Sequence, residues 1–303
     1  MTLFSTLVAR PLARVVQAAP APEVRAAVTF PDIPGRTKKL MIPTSYGEAE
    51  ATVYYPPPDL DDAAPVPPVY VNFHGGGFVI GHYEMDDAMC RYLAANAPAV
   101  VVNVDYVLAP RHPFPAPPTQ AYEIARWVAA HGTGHGWDGS RLGVGGQSAG
   151  GALAAAVARL AWETGALDVG LQVLSYAPFD MYDRKKRAKA AKPVVRPAVV
   201  PILMGAYLPD PADRTDRLAS PLYGTNADGL DGIAPAVVIT CELDLLREDG
   251  VRYARKLEVA GALLEHREFK GLDHAFNLLT DETARTREMY DLIAGRIAKT
   301  PAR

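Results

Sequence analysis

Residues 142–162 read LGVGGQSAGGALAAAVARLAW. An apolar strand signal, Leu142 to Gly146, passes with no connecting loop into an Ala-rich helix signal, Ala149 to Trp162, built from good helix formers. At the junction lies Gly146-Gln147-Ser148-Ala149-Gly150, a G-x-S-x-G motif. A serine placed there stands on a sharp, strained turn, and the residues two positions away have to be small for the backbone to pass. A chance match in a glycine-rich loop would lack the strand before it and the helix after it.

Outward from this junction, short Val- and Ile-rich runs alternate with longer helical patterns, as in βα units that feed a mainly parallel sheet. Val69 to Phe73, Ala99 to Tyr106, Leu171 to Ala177, Ala236 to Cys241 and Glu265 to Phe269 read as strands. Ala121 to Ala130, Glu248 to Ala260 and Thr283 to Ala298 read as helices, the last with Met289, Ile293 and Ile297 at helical spacing. Pro110 to Pro118 is expected to be an ordered loop, because proline continues neither helix nor sheet. The alternation breaks between Phe179 and Leu230, which holds a basic run, several prolines and no buried strand signal. The expectation is one α/β domain over 1–303, a central sheet flanked by helices, with a helical cap from about 1–40 and about 179–230.

The chain has 303 residues, 49% hydrophobic and 21% charged, enough to bury a full core. A formal charge of −3 argues against nucleic acid as a general partner. Cys90 and Cys241 form no C-x-x-C pair and fit a reducing compartment, so a cytoplasmic location is expected. No apolar run reaches the roughly 18 residues that a membrane-spanning helix needs. Met1 to Ala21 reads as an amphipathic helix, because Arg10 and Arg14 interrupt any signal-peptide apolar region.

The chemistry follows from what a serine nucleophile requires. Its hydroxyl is weak at its own pKa and needs a histidine base, which an acid holds in the correct tautomer. Of seven histidines, His274 in Gly271-Leu272-Asp273-His274-Ala275-Phe276 follows the last strand. In sheets carrying this turn the acid ends a strand between nucleophile and base, which selects Asp244, with Glu242 and Asp273 as rivals. His74-Gly75-Gly76-Gly77 directly follows the strand Val69 to Phe73. The N–H groups of Gly75, Gly76 and Gly77 are unshielded and, with that of Ala149, suit an oxyanion hole. A phosphate loop would need a Gly-Lys-Ser/Thr ending that is absent. Within the insertion, Tyr182, Met204, Tyr207 and Leu208 are candidates for an acyl pocket or for cap core. The run Arg184-Lys185-Lys186-Arg187-Ala188-Lys189 reads as a solvated face or as an attractor of anionic lipid or acidic substrate.

These residues, from about Tyr70 to the C-terminus, resemble the hormone-sensitive-lipase-like branch of the α/β-hydrolase esterases and lipases. The His-Gly-Gly-Gly loop, Asp105-Tyr106-Val107-Leu108-Ala109-Pro110-Arg111-His112-Pro113-Phe114-Pro115, the Ser148 turn, Asp244-Leu245-Leu246-Arg247-Glu248 and Gly271 to Phe276 occur in the family's order. The resemblance implies an α/β-hydrolase fold, a Ser148-Asp244-His274 triad, a hole from the glycines after His74, and a cap over the site. It implies carboxylic ester hydrolysis through an acyl-enzyme on short- to medium-chain esters, with a small-molecule ester as partner and no metal or organic cofactor. A homodimer stays open.

Three positions depart from the family. Gln147 replaces the usual Asp before the nucleophile, Arg111 a usual Glu, and Leu245 a usual Pro after the acid. The first two remove carboxylates, so local hydrogen bonding and pH dependence are expected to differ. Two other readings share the scaffold. One is hydrolysis of an amide, carbamate or formamide by the same triad; the other is a non-catalytic receptor, as the gibberellin receptors are with their triad broken.

Overall fold

The structure is a computed structural model that describes residues 3–18, 23–58, 65–183 and 185–302. Eight strands form one sheet: β1 (Arg36–Thr44), β2 (Gly47–Tyr55), β3 (Pro68–Phe73), β4 (Val100–Val104), β5 (Asp138–Gln147), β6 (Leu171–Ser175), β7 (Ala236–Cys241) and β8 (Leu263–Phe269). Their order is β1-β2-β4-β3-β5-β6-β7-β8. From β4 to β8 every neighbour is parallel, while β1 and β2 add an antiparallel hairpin at one edge.

Strands β3, β4, β6 and β7 are buried along their whole length, as near-continuous Val and Ile runs demand when helices cover both faces. Side-chain alternation divides the core in two. Val69, Val71 and Phe73 pack on one face with α3 (Ala116–Ala130), α4 (Ala149–Thr164) and α6 (Arg247–Val259). Tyr70, Val101, Val173 and Val237 pack on the other with α2 (Asp87–Asn96) and α8 (Thr283–Ile297). The crossovers point the C-terminal ends of β3, β5, β7 and β8 toward one rim, where the motif residues stand.

Two expectations change. Residues 36–40, read with the N-terminal segment, lie in β1, whose exposed Thr37, Lys38 and Lys39 are the kind of charged edge that resists further pairing. The proline loop ends early: α3 begins at Ala116 with Pro117 and Pro118 in its first turn, where a missing N–H costs nothing.

Residues 3–18 form helix α1, with Pro11 inside it. The stretch between β6 and β7 carries α5 (Val200–Tyr207), and α1 packs against α5. Gln17 Nε2 donates to the carbonyls of Val79 and Ala109 at 2.6 and 2.8 Å, and Arg10 donates to that of Pro110 at 2.9 Å. Helix α1 is thereby fixed to the loops beside the glycine motif. Among the described residues, no helix is long and apolar enough to cross a membrane.

Candidate active site

Ser148 joins β5 to α4 at φ 54° and ψ −119°, a backbone region that non-glycine residues rarely occupy and that costs about 1–3 kcal/mol. The surroundings impose it. A Cβ at Gly150 would lie 1.8 Å from the carbonyl oxygen of Phe73, and one at Gly146 would lie 2.2 Å from the same atom. The turn is therefore wedged against the end of β3, where the glycine loop starts. A methyl at Gly75 would lie 3.6 Å from Ser148 Cβ, so loop and serine face each other. Ala149 is the first residue of α4, and its N–H has no partner within the helix.

His74 braces this loop. Its ring is buried, stacks on Tyr106 at 4.4 Å and sets Nδ1 2.6 Å from the carbonyl of Gly75, while the Tyr106 hydroxyl donates to the His74 carbonyl at 3.0 Å. Burial pushes the imidazole down to about 4. A neutral ring with its proton on Nδ1 satisfies the contact to Gly75.

Asp244 and His274 are brought together: His274 Nδ1 lies 2.7 Å from Asp244 Oδ2, with both side chains almost fully buried. The other Asp244 oxygen accepts from the N–H of Leu246 at 3.0 Å, which fixes the carboxylate plane. The rivals have other tasks. Glu242 accepts from the Gly271 N–H at 2.9 Å, and Asp273 accepts from the His274 N–H at 2.7 Å. Among the described residues, no hydrogen bond joins the Ser148 hydroxyl to His274; such contacts commonly tighten only when substrate binds.

The pocket candidates separate. Tyr207 stacks on Phe78 at 3.8 Å and, like Leu208, is fully buried, so both take the core role. Tyr182 is 55% exposed and leans on Tyr223. Met204 is half-buried on α5. Its neighbour Leu203, which sequence reasoning passed over, is the residue that meets the glycine loop: a Cβ at Gly77, where φ is 62°, would fall 2.7 Å from Leu203 Cδ1.

Arg184 lies outside the described residues; Lys185, Arg187 and Lys189 are exposed, as a solvated face requires, and only Lys186 departs from that reading. It is neither a solvated nor a lipid-facing group: it is mostly buried and pairs with Asp249 at 2.5 Å. Asp249 also accepts from the N–H groups of Phe179 and Asp180 at 2.9 Å, so this pair fastens the insertion to α6. Further along, Lys189 and Ala190 donate to the Leu243 carbonyl, one residue before Asp244. Among the described residues, no three His, Cys, Asp or Glu side chains are grouped to hold a metal ion.

A serine on a strained strand-to-helix turn, a facing glycine loop and a buried carboxylate–imidazole pair define a serine hydrolase of carboxylesterase type. Residues 70–278 match the family described as the alpha/beta hydrolase fold. The chain is similar to the esterase LipI of Mycobacterium tuberculosis, 36% identical over 247 residues that cover 80% of this chain and 75% of that one. It is 33% identical to an ethyl acetate hydrolase of Pseudomonas putida over 81% of this chain and 77% of that one. The structure of a Pyrobaculum calidifontis esterase matches with a TM-score of 0.79 and 31% identity, covering 99% of this chain and 91% of that one. The chain belongs to the α/β-hydrolase family, in its hormone-sensitive-lipase-like branch.

Proposed function

We propose that the chain hydrolyses carboxylic esters in two acyl-transfer steps with Ser148 as nucleophile, His274 as base and then acid, and Asp244 as the group that orients His274. The observation that carries this reading is the 2.7 Å contact between Asp244 and His274 at the same rim as the positive-φ serine. Ser148 attacks the ester carbonyl as His274 takes its proton. The developing oxyanion is met by the N–H of Ala149 and two of those of Gly75, Gly76 and Gly77, and losing one such donor typically costs about 2.7–4 kcal/mol. The alcohol leaves with the proton from His274, and water repeats the sequence on the acyl-enzyme. Asp244 holds Nδ1 of His274, so Nε2 is the atom that takes the proton from Ser148 and then gives it to the leaving alcohol.

The reading includes a cap from residues up to about 35 and from about 179 to 230, supported by the packing of α1 on α5. Short- to medium-chain esters are the expected substrates, as the family resemblance implies, with Leu203 placed against Gly77 from the α5 side and Met204 next to it in the chain. The activity named for the ethyl acetate hydrolase relative agrees with a small acyl group.

The test is covalent labelling with a fluorophosphonate, with Ser148→Ala as control, followed by a p-nitrophenyl ester series and the matched anilides. Labelling of the native chain alone and a turnover loss of about 10⁴-fold or more in Ser148→Ala are expected. An unlabelled native chain would overturn the serine mechanism, and anilide turnover equal to ester turnover would overturn the ester preference.

A further inference from the structure

Beneath Ser148 and His274 lies a buried polar chain that the triad does not use. Its first member is Asp86, 1% exposed, at the entry to α2. The Asp86 carboxylate accepts from Asn72 Nδ2 at 2.8 Å and from Gln147 Nε2 at 2.7 Å, and among the described residues no cation pairs with it. A buried carboxylate held only by two amides is costly to keep charged. Gln147, the residue before Ser148, turns its oxygen to Asn277 Nδ2 at 2.6 Å and to the Tyr176 hydroxyl. That hydroxyl also lies 2.6 Å from Asn277 Oδ1. Tyr176 sets its ring edge-on to the His274 imidazole, 4.8 Å between centroids, and Asn277 follows His274 by three residues. One end of the chain thus grips the nucleophile turn, and the other supports the base.

We propose that Asp86 is a positioning residue whose protonation reverses the hydrogen-bond polarity of this chain and so disturbs the alignment of Ser148 with His274. The inference rests on the triad reading above. As a carboxylate, Asp86 accepts from both amides. Once it carries a proton, it must donate it, and the acceptor is the oxygen of Gln147 if that amide turns over, because turning Asn72 instead would set its oxygen against Asn103 Oδ1, whose own amide is held by the Tyr83 carbonyl. The Gln147 amino group then faces Tyr176 and Asn277, so their hydroxyl and amide must turn in sequence. No atom is gained or lost beyond the one proton on Asp86.

The titratable groups that face Asp86 are Tyr70 on β3, Cys90 on α2, Tyr106 after β4, Tyr176 after β6 and Tyr290 on α8, and burial drives all of them upward, away from neutrality. Burial also raises Asp86, to about 7, against the two amides that favour its charged form. It is therefore the member of this cluster that changes charge in the working range.

The test is the pH dependence of kcat/KM for p-nitrophenyl acetate, and of fluorophosphonate labelling, in the native chain, Asp86→Asn and Tyr176→Phe. The native acid limb should fall more steeply than one proton allows, because Asp86 adds its own. Both variants should show one proton. Each should lose about tenfold to a hundredfold in kcat at its optimum, with KM nearly unchanged, as misalignment of reacting groups does. Tyr176→Phe keeps the ring against His274 and decides the matter if Asp86→Asn does not fold. A native slope of one, or variants that keep the native profile and kcat while changing only their thermal stability, would overturn the inference. Failure of the triad reading looks different, because Ser148 would then not be labelled in the native chain at any pH.

Discussion

The backbone N–H of Val194 donates to the Asp273 carboxylate at 2.9 Å, and the other oxygen of that carboxylate accepts from the N–H of His274 at 2.7 Å. One side chain therefore ties the insertion between β6 and β7 to the loop that carries the base. With Lys189 and Ala190 bonded to the Leu243 carbonyl, the same strap touches the acid loop as well. The insertion thereby holds the two loops whose side chains meet at 2.7 Å.

Asp273→Ala should separate these two roles. The Asp244 and His274 side chains stay in place, but the loop loses both contacts. A fall in kcat of about tenfold is expected, on the scale that small displacements of reacting groups produce. Hydrogen exchange at residues 189–196 should quicken in parallel. Native kcat together with quickened exchange would show that the strap does not position the base.

Lys186 and Asp249 give a stability prediction. Removing one partner of a buried pair leaves an uncompensated charge and costs about 3–5 kcal/mol, so Lys186→Met should lower the urea midpoint strongly at pH 8. Burial already raises the Asp249 carboxyl, and loss of the lysine raises it further. Its folded form thus gains a proton more easily than its unfolded form. The penalty should shrink as the pH falls and Asp249 becomes neutral. Lys186→Met/Asp249→Asn should recover part of the loss, since an amide oxygen still accepts from Phe179 and Asp180. A penalty independent of pH would place the cause outside this pair.

On the proposed reading, Leu203 is the residue that limits the acyl group. Trimming it to alanine removes the side chain that abuts Gly77 and opens room above the glycine loop. Methylene-sized changes in apolar pockets shift specificity by roughly 10–200-fold. Leu203→Ala should raise kcat/KM for octanoate relative to acetate esters by about tenfold, mostly through KM. An unchanged ratio would remove Leu203 from the pocket.

Legibility in the sequence tracked locality. Ser148, Asp244 and His274 each follow a strand end, and His74 to Gly77 follow another, so a run of apolar residues and the turn after it single them out as candidates. The hairpin β1-β2 is hard to read because its first strand opens on charged residues and is mostly exposed, and its second alternates Glu with Ala, a weak strand former. Asp86 was missed for another reason. Beside Asp87 it reads as one of two acids in a helix's first turn, and Asp87 does pair with Arg91 at 2.8 Å. Only the fold reveals that Asp86 points inward to Gln147, 61 residues away. Leu203 likewise reaches Gly77 across the insertion, and no spacing rule links them.

The brace under the glycine loop should also govern acid stability. His74 is held neutral by burial, down to about 4 from its ordinary 6.5, so the unfolded chain binds a proton in that interval that the folded chain refuses. The stability from this refusal is complete above 6.5 and is lost as the pH falls toward 4, a loss of roughly 3 kcal/mol by linkage. Asp86, whose pKa is raised to about 7, acts in the opposite sense, because its folded form holds a proton that the unfolded form has released. The two therefore offset each other between pH 4 and 6.5, and removing either should expose its partner. His74→Gln should be less stable than the native chain at pH 7 but should lose less on acidification, and Asp86→Asn should lose more. Urea midpoints at pH 7, 5.5 and 4.5 test both slopes, and parallel curves for the three proteins would show that neither group carries the pH dependence.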